Sequence, residues 1–146
     1  MLRLMELSDV RRKVRAVIDD AKRQAGERRA RTDEASRAYD TFLPEVAVPA
    51  FHAIAQALAG ESYRFKVFTP GEAVRLSPEF STEDFIELAL DTTGASPVLL
   101  LTSSRGRGRR QVISEQPLLS ERPLSEISQD DVIVGVLGML APFVER

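Results

Sequence analysis

His52 is the residue best suited to moving a proton, and it is the one histidine among 146 residues. An imidazole titrates near neutral pH and serves as a general base when a nucleophile and an orienting acid stand beside it. His52 falls on an expected helix, four residues before Gln56 and off the apolar stripe. With no carboxylate in register, the ordinary reading is a rim or surface histidine. A Ser-His-Asp arrangement would need two more residues brought in from elsewhere. A lone histidine and no cysteine exclude a multi-histidine or thiolate metal centre, disulfides and a cysteine nucleophile.

The second candidate is the stretch Arg105-Gly-Arg-Gly-Arg-Arg110. Glycine lets backbone amides approach an anion, and the guanidinium groups of Arg105, Arg107, Arg109 and Arg110 suit phosphate or carboxylate. The competing reading is a glycine turn with solvated arginines that keeps a hairpin loop soluble. The stretch also shares its Arg-Gly pattern with short minor-groove motifs. The flanking prolines of those motifs are missing, with Ser104 and Arg109 in their place. Arg64, Lys66 and Arg75 are expected on one outward sheet face with Glu87 and Asp91. Cross-strand ion pairs there are each worth well under ~1 kcal/mol, and the face is either a polar binding surface or simply solvated.

Carboxylates are plentiful, but Asp19-Asp20, Asp33-Glu34, Glu83-Asp84 and Asp130-Asp131 are sequence neighbours, so the side chains of each pair diverge. The chain has no phosphate-loop, dinucleotide, zinc-helix or serine-elbow signature. No metal and no cofactor is implied. An enzyme built around His52 ranks third, behind an interaction module and an anion-binding regulatory domain.

These side chains need a scaffold. The mass of 16.2 kDa suits one domain with a real core. Twenty basic and twenty-two acidic residues give a net charge of −2, and that balance disfavours nucleic acid as a partner. The charge is uneven: residues 1–40 carry +3 and residues 41–146 carry −5. The opening residues lack the continuous apolar run of a leader. The most apolar run, Ile133 to Val144, is far short of the ~20 residues that cross a bilayer. A cytoplasmic location without membrane attachment is the expectation.

A long helix is expected from Ser8, read as its N-cap, to Leu43. Leu7, Val10, Val14, Val17 and Ala21 recur at spacings of three and four, and the stripe returns at Ala35, Ala38, Tyr39 and Phe42. Between them the chain is charged, and Gly26 leaves open a hairpin of two helices. Pro44 and Pro49 are read as breaks before a second helix, with Phe51, Ile54, Ala55 and Leu58 inward and Gly60 as its left-handed cap. Alternating segments follow at 63–68, 73–77 and 84–92, then a strand apolar on both faces at 98–102 and a returning strand at 109–115, joined by short turns. Short connections imply a five-stranded antiparallel meander. Ser128-Gln-Asp-Asp131 resembles a capping box. It opens a last helix whose Val132, Ile133, Val136, Leu137, Leu140 and Phe143 are expected to close the core.

The fold class is therefore α+β: a long N-terminal helix, a second helix, a five-stranded antiparallel meander and a C-terminal helix packed on the sheet. Residues 1–43 form a helical arm and residues 44–146 the sheet domain. The shape, a small acidic α+β protein expected to dimerise, is similar to bacterial secretion chaperones at fold level only, and no family signature covers any part of the chain. A helix from Ser8 to Leu43 is ~54 Å long and the sheet domain about 35 Å across, so the arm must overhang. An isolated helix of this length is marginal in water. A homodimer joined through Leu7, Val10, Val14, Val17, Ala21, Ala35, Tyr39 and Phe42 is expected, with a further protein as a second class of partner.

Overall fold

The computed structural model describes residues 6–81 and 83–145. Met1 to Met5, part of the opening stretch expected to lack a leader, lie outside them. Helix α1 spans Leu7–Phe42, and after a π turn at Leu43–Ala47 helix α2 continues over Val48–Gly60. The strands are β1 (Phe65–Phe68), β2 (Val74–Pro78), β3 (Phe85–Asp91), β4 (Val98–Arg107) and β5 (Arg110–Pro117). A short 3-10 turn at Leu124–Glu126 leads to helix α3, Gln129–Val144. The sheet is antiparallel throughout, in the order β1-β2-β3-β4-β5. The expected α+β architecture is the one observed.

Alternation decides which sheet face is covered. Val74, Leu76, Ile86, Leu88, Leu99 and Leu101 share one face by register and are buried. Against them pack Phe51, Ile54 and Leu58 of α2, Val132, Val136 and Met139 of α3, and Tyr39 and Phe42 at the end of α1. Helix α3 approaches closely because Gly135 has no side chain: a Cβ there would stand 2.8 Å from Leu118 Cδ1 and 2.9 Å from Leu101 Cδ1.

Several local expectations are corrected. Residues 7–42 form one helix, with no break at Gly26. Glu6, not Ser8, is the N-cap, because its carbonyl already accepts from the amides of Asp9 and Val10. Pro44 and Pro49 do not separate two helices. Proline removes an amide donor and crowds the carbonyl four residues back. Here the chain widens into a π turn in which the Val48 amide reaches the Leu43 carbonyl, five residues away. The Glu45 carbonyl, which the Pro49 nitrogen cannot serve, accepts instead from Gln129 Nε2 of α3 at 3.4 Å.

Gly60 is not the left-handed cap. Ser62 takes the positive φ, +70°, and the Tyr63 and Ser62 amides bond back to Leu58 and Ala59, the double closure of a Schellman end. One 18-residue window within the continuous helix Leu7–Gly60 is more apolar than its charged first part. By length and composition alone that window is apolar enough to cross a membrane. The helix residues Ala47, Ala50, Phe51, Ile54 and Leu58 are nevertheless buried in the core.

Candidate functional site

The first part of the long helix is exposed over most of its length. At 1.5 Å per residue its 36 residues are ~54 Å long. Tyr39 and Phe42 are its only buried residues, 3% and 4% exposed. Arg31 is the first residue to border the Leu118–Ile127 segment, in a shallow depression also lined by Glu34, Ala35 and Ala38. About 24 residues, Leu7 to Ala30, therefore project beyond the globule.

Along that projection Leu7 and Val17 are each 69% exposed, and Val10, Val14 and Ile18 are exposed too. Ile18 belongs to the stripe although the strict three-four spacing passes it by. Other faces of the projection are laced by pairs within the helix, Arg12 with Asp9 and Arg23 with Asp20 and Glu27, which stabilise each turn by tenths of a kcal/mol at most. Val17 and Ala35, like Ala21 and Tyr39, are separated by five full turns and share a face. The expected dimer residues thus divide. Leu7, Val10, Val14, Val17 and Ala21 lie free on the projection. Tyr39 and Phe42 are spent on the chain's own core, and Ala35 is half-buried beside it. The free stripe opens on the side where the globule sits.

The arginines are arranged differently from a loop. Strand β4 runs on to Arg107, and the turn is only Gly108 and Arg109, with Gly108 at φ +64°. Arg105 and Arg107 are strand residues, and Arg107 pairs in register with Arg110. The longer strand is held by Asp84, which accepts from the Gly106 amide at 2.8 Å, and by Gln111, whose amide group donates to Ser104 Oγ and to the Glu83 carbonyl. Arg105 donates to the Pro142 carbonyl near the end of α3 at 3.2 Å. Arg107, Arg109 and Arg110 are exposed.

On the outward sheet face, Arg75 Nε donates to Glu87 Oε1 at 2.7 Å across β2 and β3. Its guanidinium also lies 3.9 Å from the centre of the Phe85 ring, a favourable cation–π placement. Asp91 instead accepts from the amide and hydroxyl of Thr93, bonds that hold its carboxyl below the usual range. Arg64 precedes β1 rather than lying in it. His52 is exposed on α2. Among the described residues no group of histidine and carboxylate side chains is placed to hold a metal ion.

One surface was not anticipated. Leu137 was expected inward, yet it is 50% exposed, and Val134 is 70% exposed. The apolar arc of α3 is wider than the sheet can cover. Its uncovered edge forms a groove with α2, lined by Ala53, Ala57, Ile133, Leu137 and Leu140, with Glu61 at one end. The signal was present in the sequence: seven apolar residues in nine from Val132 to Leu140 exceed one helix face. No family model, curated protein or solved structure matches this chain, so the surfaces themselves carry the functional reading.

Proposed function

We propose that the protein is a non-enzymatic interaction module that self-associates through its N-terminal helix. One observation carries this reading: some six turns of helix project from the globule with an apolar stripe in solvent. Such a helix gains little from its own backbone, whereas each Leu, Val or Ile fully buried contributes about 1.5–3 kcal/mol. A two-fold dimer collects that gain twice. Sedimentation equilibrium at tens of micromolar is expected to give twice the 16.2 kDa chain mass, and Val14→Glu to give the single mass. A wild-type protein that stays monomeric up to that concentration overturns the reading.

A second reading, an anion-binding regulatory domain, draws support from the register pairing of Arg107 with Arg110. Like charges directly opposed destabilise a ladder, and a bound anion relieves them. Phosphate binding that disappears on changing Arg107 and Arg109 to Ala supports it. No binding by the intact protein removes it.

A further inference from the structure

We propose that the projecting helix docks in the α2–α3 groove of a second copy, and that two copies do so reciprocally. The proposal rests on the self-association reading and names its seat. The groove suits a helix: Ala53 and Ala57 present a shallow wall that lets another backbone come close, and Ile133, Leu137 and Leu140 form the opposite, apolar wall. Helix-in-groove recognition reads apolar side chains at spacings of three and four, and Leu7, Val10, Val14 and Val17 supply them.

Length selects the second copy as the occupant. The continuous helix from Leu7 to Gly60 has 54 residues, about 81 Å. About 24 of them project and about 30 lie on the globule. Two such helices laid antiparallel about a two-fold axis near Glu34 bring Leu7 beside the partner copy's Glu61 position and Val14 beside its Ala53 position. The ~15 Å between Leu7 and Val17 then matches the ~12 Å between Ala53 and Glu61. The free stripe opens toward the globule side of the helix, where a partner laid alongside also sits.

Charge agrees with length. Residues 1–40 carry +3 and residues 41–146 carry −5, and Arg11, Arg12 and Arg15 border the projecting stripe while Glu61 closes the groove. A projection pairing only with another projection fares worse. Its three-four pattern stops at Ala21, and the next positions in phase are Gln24, Arg28 and Arg31. Two heptads fall below the three or four that sustain a coiled coil, and that arrangement leaves Leu137 in water.

The test uses Leu137→Glu beside Val14→Glu, both at exposed positions, with folding checked by circular dichroism. Groove docking predicts that each substitution weakens dimerisation by about tenfold or more. A Leu137→Glu protein as dimeric as wild type, while Val14→Glu is monomeric, overturns the groove and leaves self-association standing. A monomeric wild type overturns both. A second measurement is independent of those variants, because the chain has no cysteine. A mixture of Val10→Cys and Ala57→Cys proteins is expected to cross-link under mild oxidation into mixed dimers. Linkage of Val10→Cys only to itself overturns the proposal.

Discussion

Tyr39 stands where the projecting helix becomes part of the core. Its hydroxyl donates to the Glu72 carbonyl at 2.5 Å, and its ring centre lies 6.3 Å from that of Phe42. Burial, followed by the nearby Glu72 and Glu87 carboxylates, pushes the phenol well above its ordinary value of 10.0. The neutral form is favoured in the folded state, so the linked stability is complete below pH 10 and is lost as pH rises beyond it. Tyr39→Phe removes one partly buried hydrogen bond and is expected to cost about 1 kcal/mol in urea unfolding at pH 7. The absorbance change lost with that substitution should belong to an ionisation above the normal tyrosine range.

Asp131 works in the opposite direction. The Ser128 amide donates to its carboxylate at 2.9 Å, and the Ser128 hydroxyl accepts from the Asp131 amide at 3.2 Å. The bond from the Ser128 amide leads in holding the carboxyl below its usual range, with Arg122 as a minor contributor. The contribution of Asp131 is therefore present above the ordinary carboxylate range and fades as pH falls through the lowered value. Asp131→Asn should flatten the acid limb of a melting-temperature profile, and Ser128→Ala should cost about 1 kcal/mol at neutral pH.

At the scale of elements, α3 carries two glycines whose substitutions should have opposite signs. Ala in place of Gly138, where nothing lies within 4 Å, should stabilise by about 0.5–1 kcal/mol, the ordinary helix-propensity gain. Ala in place of Gly135 collides with buried Leu101 and Leu118. An overpacking cost of about 1–3 kcal/mol should outweigh the propensity gain there. Thermal unfolding of the two variants checks both.

The same helix shows what local pattern can and cannot reveal. Its start was legible because a capping box is a local device, and the strands were legible because alternation is local too. The continuity through Pro49 was not, since it depends on Gln129, far along the chain, reaching the Glu45 carbonyl. The length of β4 was hidden for a similar reason. Ser104 and Gly106 look like loop residues until Gln111 is seen to donate to the Ser104 hydroxyl and Asp84 to accept from the Gly106 amide. The candidate site divides in the same way. The stripe on the projecting helix was readable from spacing alone, whereas the groove is made by two elements more than seventy residues apart.

For the whole molecule, an unsupported helix and a covered one differ most in how their backbone amides exchange with water. Residues 10–21 have no buried contact within the chain, so in a monomer they open by local fraying that costs almost nothing. Coverage by a second subunit makes opening wait on dissociation. The dissociated fraction falls with the square root of total concentration, so protection should rise about threefold for each tenfold increase. The amides of β3, buried within the globule, should not change over that range, which makes them an internal reference. Val14→Glu should abolish the dependence in residues 10–21 while leaving β3 as it was. Protection independent of concentration, with residues 10–21 exchanging as an exposed helix throughout, would mean that no second copy covers the stripe. The six projecting turns would then stand on helix propensity and their own ion pairs alone, a load that magnitudes of tenths of a kcal/mol per pair do not carry.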